Sequence, residues 1–337
     1  MTRFMYYPGC SMDSSARAYS DSIDEISRPL GIDLQEVDDW NCCGANEYMS
    51  ISQTRAYALI SRNLALAEKQ KDGTDTLVAP CSLCYLNLAK TDHYMGEDAG
   101  LRVKLNTALG TAGLSYTPGS LTVRHLLDVI IEDIGIDAVG KAVVRPLAGL
   151  RLAPYLGCLV TRPDYADRWR SHEHPREFDR LLSVLGAEVV DFPLRTDCCG
   201  GHMTQISPAT GFELIRRLVD AADRLGADAL VTTCPMCQMN VDAYQGEMNR
   251  FFKTDYHMPI LFFTQLMGLA FGSPPNKLGF GTELVSARKA LAKIGVEVPE
   301  APQPEAGAVP GAARPRREKK PQGLPMPRMS DDGEQPR

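Results

Sequence analysis

No stretch of the chain approaches the roughly 20 consecutive apolar residues needed to cross a bilayer, so direct membrane insertion is not expected. Neither sign of charge dominates: 36 Lys and Arg face 42 Asp and Glu, for a formal net charge of -6. Without a basic patch there is no electrostatic footprint for nucleic acid. The first residues, Met1-Thr2-Arg3-Phe4-Met5-Tyr6-Tyr7-Pro8, lack the apolar stretch of about 7 to 15 residues that a secretory signal carries. A reducing, cytoplasmic setting is therefore expected. No Gly-x-Gly-x-x-Gly follows a strand pattern, so the nicotinamide or flavin fingerprint is missing. Cysteine itself is missing after Cys237, yet that residue is the tenth in the 337-residue chain.

With 44% hydrophobic and 23% charged residues, a chain of this length buries enough core for two domains without covalent staples. Ten cysteines allow five disulfides, but dense disulfides belong to small secreted domains. In a reducing compartment clustered thiols are more often metal ligands or redox groups.

The spacing divides the ten into two sets of five. Cys10 is followed after 31 residues by Cys42-Cys43, then after 37 by Cys81-x-x-Cys84; Cys158 is followed after 39 by Cys198-Cys199, then after 34 by Cys234-x-x-Cys237. The flanks repeat as well. Tyr7-Pro8-Gly9-Cys10 matches Tyr155-Leu156-Gly157-Cys158, and Cys42-Cys43-Gly44 matches Cys198-Cys199-Gly200. Asp75 to Cys84 with Asn87 parallels Asp228 to Cys237 with Asn240. This shared order, at an offset of 148 to 156 residues, indicates an internal duplication.

Short apolar runs at Phe4 to Tyr7, Ile32 to Val37 and Thr76 to Ala79 alternate with helical patterns at Ser14 to Ile26 and Gln53 to Lys69, a β-α-β order that predicts a parallel sheet. In the second half Arg151 to Tyr155, Glu188 to Phe192 and Ala229 to Thr232 read as strands, and Glu177 to Leu185, Thr210 to Leu225 and Gln238 to Phe251 as helices. Leu101 to Gly113 and Leu121 to Ile134 read as additional helices. The expected fold is α/β, with two pseudo-symmetric Rossmann-like domains on short parallel sheets: residues 1–148 with a helical insertion, then 149–295. Residues 296–337, rich in Pro and charge, read as a disordered tail, and the basic run Arg314 to Lys320 as solvated. Every cysteine block follows a strand. Ligands of open α/β sheets sit beyond the carboxyl ends of strands, so the blocks of one half can converge there on one site.

A tetrahedral zinc is content with four cysteines, and so is a cubane [4Fe-4S] cluster, whose ferredoxin-type run of closely spaced cysteines is absent. Five per half is one too many for either. Side chains of adjacent residues diverge, which makes it awkward for Cys42 and Cys43 to hold one small ion and easier for them to hold different irons of an extended cluster. Gly44 and Gly200 would let the backbone turn sharply and pack close to a bulky inorganic core. Helices starting after Cys81 and Cys234 would offer N–H groups to an anionic group. An ordinary thiol-redox role for the two Cys-x-x-Cys pairs remains an alternative, one that leaves six cysteines without a purpose.

This pattern, covering about residues 5 to 245, resembles the cysteine-rich CCG proteins, and most closely the B subunit of heterodisulfide reductase. The resemblance implies two noncubane [4Fe-4S] clusters, one held by Cys10, Cys42, Cys43, Cys81 and Cys84, the other by Cys158, Cys198, Cys199, Cys234 and Cys237, facing each other around a substrate disulfide. It implies an oxidoreductase that reduces, or in reverse forms, a low-molecular-weight disulfide. Electrons would come from the ferredoxin-like C subunit of heterodisulfide reductase, fed in turn by its flavin-containing A subunit or by a membrane cytochrome. The alternative it leaves is a non-catalytic electron-relay or scaffold iron-sulfur protein of a sulfur-oxidation or other respiratory complex.

His202 follows Cys198-Cys199-Gly200-Gly201. It is a candidate hydrogen-bond donor to cluster sulfur, or proton source to a departing thiolate, the alternative being a loop histidine bonded to backbone. Asn46 and Glu47 occupy the equivalent region of the first half, so the surroundings of the two sets differ. Asn87 and Asn240 are candidates for holding the ligand loops from the helix side, with helix packing as the alternative. Met236 and Met239 are expected to fill core gaps. His93, His125, His172, His174 and His257 show no spacing matched between halves and are read as structural or surface residues.

Overall fold

The computed structural model describes residues 1–45, 47–161 and 171–298. In the first half the elements run β1 (Thr2–Tyr6), α1 (Arg17–Ser27), β2 (Ile32–Glu36), α2 (Glu47–Ile51), α3 (Gln53–Lys69), β3 (Thr76–Ala79), α4 (Ser82–Glu97), α5 (Ala99–Gly110), β4 (Thr122–His125), α6 (Leu126–Asp128), a π-helical stretch (Val129–Gly135) and α7 (Ile136–Ala142). The second half runs β5 (Arg151–Tyr155), α8 (Glu177–Val184), β6 (Glu188–Val189), α9 (Met203–Ile206), α10 (Pro208–Arg224), β7 (Ala229–Thr232), α11 (Pro235–Ala243), α12 (Gln245–Phe252), β8 (Ile260–Phe262), α13 (Phe263–Ala270), a 3-10 turn (Pro275–Lys277) and α14 (Arg288–Ala292).

Each half builds one four-stranded sheet, ordered β2-β1-β3-β4 in the first and β6-β5-β7-β8 in the second. All the pairings are parallel. The two sheets share one topology, that of a pair of Rossmann-like halves. Strands β3, β5 and β7 are buried along most of their length, β7 at every residue, because helices cover both faces of a parallel sheet; β1 is buried at Phe4 and Met5.

The last strand of each sheet departs from the expectation drawn from the sequence. Leu121 to Ile134 is not one helix: Thr122–His125 pairs with Thr76–Ala79, and helix begins only at Leu126. Leu121, Val123, Leu126 and Leu127 are all buried, a spacing that suits either period, and the open edge of β3 decides for strand. Ile260–Phe262, its counterpart, is a strand that the sequence pattern does not announce. Gln238 to Phe251 is two helices, α11 and α12, that part at Tyr244. The strand expected at Glu188 to Phe192 pairs only through Glu188 and Val189, and the first helix starts at Arg17 after a run of turns rather than at Ser14.

The halves pack through α1, which lies on α13. Tyr19 stacks on Phe262 with ring centroids 4.3 Å apart and planes 4° from parallel, and buried Ser22 and Thr264 share a 2.6 Å hydrogen bond. Val296 is buried and Val298 packs against the core. The remainder of the expected tail, from 299 on, lies outside the described residues, and so does Asn46. Among the described residues no helix is long and apolar enough to cross a membrane.

Candidate cysteine site

All six cysteine blocks sit just beyond the carboxyl ends of strands: Cys10 after β1, Cys42-Cys43 after β2, Cys81 after β3, and Cys158, Cys198-Cys199 and Cys234 after β5, β6 and β7. None of the ten is in a disulfide. In the first half the sulfurs of Cys10 and Cys42 lie 3.9 Å apart, and those of Cys43 and Cys84 3.6 Å. Cys42 also interacts with Cys43, and Cys84 with Cys81. In the second half the contacts run Cys198 to Cys199 to Cys237 to Cys234. Cys81 and Cys234 meet across the halves. The sulfurs thus form one continuous row, and Cys158 lies near enough for its charge to act on Tyr155.

Neighbouring thiols shift one another in opposite directions. Cys42 is held far below the ordinary thiol value by its sulfur contacts with Cys10 and Cys43 and by the Gly44 N–H. Cys234 is lowered by Cys237 and Cys81 and by the N–H groups at the start of α11. Their neighbours move the other way: Cys10 and Cys81 are raised, chiefly by Cys42 and by Cys234 respectively, and Cys199 is pushed up to about 12 by Cys198.

The backbone is shaped around the sulfurs. Gly44 and Gly200 have φ of 78° and 92°, and each donates its N–H to the sulfur of the first cysteine of its pair, at 3.4 and 3.3 Å. Gly201 donates to Cys199 Sγ at 3.3 Å. Gly9 and Gly157 also have positive φ, and a Cβ on either would stand 2.9 Å from the sulfur of Cys84 or Cys237. Cys81 and Cys234 precede the first turns of α4 and α11, so the positive ends of both helix dipoles face the row.

Supporting hydrogen bonds repeat between halves. The hydroxyls of Tyr7 and Tyr155 donate to the carbonyls of Asn41 and Asp197, at 2.7 and 2.8 Å. Asn87 donates to the Cys43 and Ala45 carbonyls, and Asn240 to that of Cys199, so both asparagines hold the Cys-Cys loops from the helix side. Arg195 belongs to the second half alone. Fully buried, it pairs with Asp179 at 2.6 Å and Asp191 at 3.1 Å, while its own carbonyl accepts from Leu156 and Gly157 N–H, tying the Cys158 loop to the Cys198 loop.

His202 does not bond to backbone through its Nδ1; that atom meets the carboxylate of Glu47 across the halves. Met236 packs partly buried against the core, as expected, but Met239 is 39% exposed and lines a cavity of about 180 Å³ beside α1 instead of filling one.

Two residues at the junction carry no signal of their role in the sequence. The buried Tyr19 hydroxyl faces both the Pro80 and Thr233 carbonyls, at 3.2 and 3.3 Å, the groups that immediately precede Cys81 and Cys234. His125 is buried at the end of β4; its Nδ1 accepts from Leu127 N–H, so Nε2 carries the proton, facing Ser82 Oγ and the same two carbonyls. Burial lowers its pKa to about 4, and the ring is neutral. Reading β4 as helix concealed this placement.

The donor set suits a polynuclear group better than a single ion. Among the described residues no three His, Cys, Asp or Glu side chains are grouped as ligands of one ion. The sulfurs are paired along an edge, N–H groups already point at them, and Gly9 and Gly157 leave room beside them. The buried hydroxyls of Thr161 and Thr233, close in sequence to Cys158 and Cys234, have no partner among the described residues, and an acceptor such as a sulfide would supply one. The residues present therefore fit an iron-sulfur group.

Residues 4–89 and 152–242 match the family described as the CCG cysteine-rich domain. The chain belongs to that family. It is similar to the B subunit of ferredoxin:CoB-CoM heterodisulfide reductase from Methanosarcina mazei, 28% identical over 87% of this chain and 97% of the other, and to a protein of Archaeoglobus profundus described as like the B subunit of heterodisulfide reductase, 28% identical over 82% and 93%. It is also 32% identical, over 85% of its length and 98% of the other, to the 8-methylmenaquinol:fumarate reductase membrane anchor subunit of Wolinella succinogenes. A solved hypothetical protein from Helicobacter pylori shares the fold, with a TM-score of 0.66 at 16% identity over 84% of this chain; the match spans about half, 52%, of that protein.

Proposed function

We propose that this chain is the disulfide-active component of a heterodisulfide reductase-like complex, with residues 1–148 and 149–295 as its two cysteine-rich domains. Cys10, Cys42, Cys43, Cys81 and Cys84 would hold one noncubane [4Fe-4S] cluster and Cys158, Cys198, Cys199, Cys234 and Cys237 the other. The observation that carries this reading is the meeting of two five-cysteine sets at Cys81 and Cys234. When bound, such clusters supply electrons singly, two in all for cleavage of one S–S bond.

The chain's own residues hold and neutralise. Gly44, Gly200 and Gly201 direct N–H groups at cysteine sulfur, and the ends of α4 and α11 add positive potential. Cleavage of a disulfide to two thiols consumes two electrons and two protons. His202 is the candidate proton donor, positioned by the contact of its Nδ1 with the Glu47 carboxylate across the halves. Electrons would come from a ferredoxin-like C subunit and, behind it, a flavin-containing A subunit, and the site of action is cytoplasmic. A second reading, an electron-relay or scaffold protein, is favoured by the likeness to the Wolinella succinogenes protein.

Iron and acid-labile sulfide in anaerobically purified protein test the clusters: about eight irons per chain are expected from two [4Fe-4S] units. Zinc with little iron overturns the proposal. A reduced viologen with small disulfides then tests the chemistry. Turnover supports the first reading; clusters that neither turn over disulfides nor change spectrum with them support the relay.

A further inference from the structure

We infer that Tyr19 is a positioning residue that mechanically couples the two cysteine sets, assisted by His125. Its hydroxyl proton lies between two acceptors, the carbonyls of Pro80 and Thr233. Each carbonyl belongs to the peptide unit whose N–H is that of Cys81 or Cys234, so a hydrogen bond to its oxygen polarises and orients that unit. These are the two cysteines whose sulfurs meet across the halves. One hydroxyl thus reads the position of both helix starts.

The arrangement has no duplicate. β4 and β8 occupy the same place in their sheets, with His125 paired to Ala79 and Phe262 to Thr232. The second half therefore supplies an aromatic ring where the first supplies a second N–H donor. Phe262 is the ring on which Tyr19 stacks, and the stack fixes the tyrosine so that its hydroxyl reaches both carbonyls. Tyr19, Ser82, His125 and Thr233 are all buried, and water does not compete for these bonds. The duplicated halves are held in register by a tie that belongs to neither repeat.

The tie is a property of the chain itself. Its bearing on two clusters rests on the proposed function, and the experiment separates the two. Hydrogen exchange of the metal-free full chain follows peptides spanning residues 80–84 and 233–237. Tyr19→Phe keeps the ring and removes the hydroxyl, and faster exchange is expected in both peptides together, by about fivefold, the factor for one ordinary hydrogen bond. Ser22→Ala, one turn along α1, removes the hydrogen bond to Thr264 without touching either carbonyl and is expected to leave both peptides unchanged. Acceleration in one peptide only, in neither, or equally in Ser22→Ala overturns the inference. Should Tyr19→Phe not fold, His125→Phe removes the other donor and is read in the same way.

In the anaerobically purified protein, Tyr19→Phe is expected to shift the paramagnetic signals of both clusters, whereas Asn87→Ala shifts one. A shift confined to one cluster in Tyr19→Phe overturns the coupling. Absence of iron overturns the proposed function and leaves the exchange result to decide the tie.

Discussion

Asn87 and Asn240 do the same work in the two halves: each donates its side-chain amide to the carbonyl of the second cysteine of a Cys-Cys pair, Asn87 to Cys43 at 3.3 Å and Asn240 to Cys199 at 2.7 Å. Both side chains are buried. The loop that carries two neighbouring cysteines is thereby fastened to the helix that follows the first cysteine of the Cys-x-x-Cys.

Asn87→Ala removes the side-chain donor to the Cys43 and Ala45 carbonyls and Asn240→Ala that to the Cys199 carbonyl, a loss of about 1 to 3 kcal/mol for each buried carbonyl left without a partner. Urea unfolding is expected to show destabilisation of that size for each. Iron analysis is expected to show the defect confined to the half that carries the substitution, and loss from both halves in either variant would contradict the assignment of one asparagine to one site.

Gly9→Ala and Gly157→Ala bring a Cβ to 2.9 Å from the sulfur of Cys84 or Cys237 at a positive φ. Overpacking of this kind costs roughly 1 to 3 kcal/mol, and the strained φ adds to it. Lower unfolding midpoints are expected in both variants. Iron retention near half that of the parent chain is also expected, because the displaced sulfur belongs to one set.

Arg195→Ala removes the cation from a buried pair with Asp179 and the side-chain hydrogen bonds to the Phe192 and Pro175 carbonyls, while the Arg195 carbonyl that accepts from Leu156 and Gly157 stays in place. Breaking such a pair from one side costs about 3 to 5 kcal/mol. Thermal unfolding reads the loss. Arg195→Lys is expected to recover only part of it, since one ammonium cannot serve Asp179, Asp191 and two carbonyls as the guanidinium fork does.

His125 makes stability depend on pH in a definite direction. Its folded value of about 4 lies below the ordinary 6.5 because burial disfavours the charged ring. Between these values the unfolded chain binds a proton that the folded chain refuses. Its contribution is present above pH 6.5 and is lost as pH falls toward 4, by up to about 3 kcal/mol. Urea midpoints at pH 7.5, 6 and 5 are expected to fall more steeply for the parent chain than for His125→Phe; equal slopes would show that the ring is not kept neutral by burial.

Much of this molecule was legible without coordinates. The order Cys, Cys-Cys-Gly, Cys-x-x-Cys declared its duplication, since self-similarity is visible in spacing alone. Alternating short apolar runs and helical patterns announced parallel α/β halves, because those periods come from local backbone geometry. Even the place of each cysteine block, past the end of a strand, followed from reading the strands.

What tertiary structure decided lies where the halves meet. That Thr122–His125 is a strand depended on the free edge of β3, which no local period reports. The contacts of Cys81 with Cys234, of Glu47 with His202, and of Tyr19 with two carbonyls all join residues remote in sequence. They are set by α1 packing on α13, an interface whose two faces carry no matching signal in the chain. The sequence determined which residues each half brings to its site. Docking of one half on the other determined which residues stand between the sites, because side-chain contact across an interface is fixed by packing geometry and not by local periodicity.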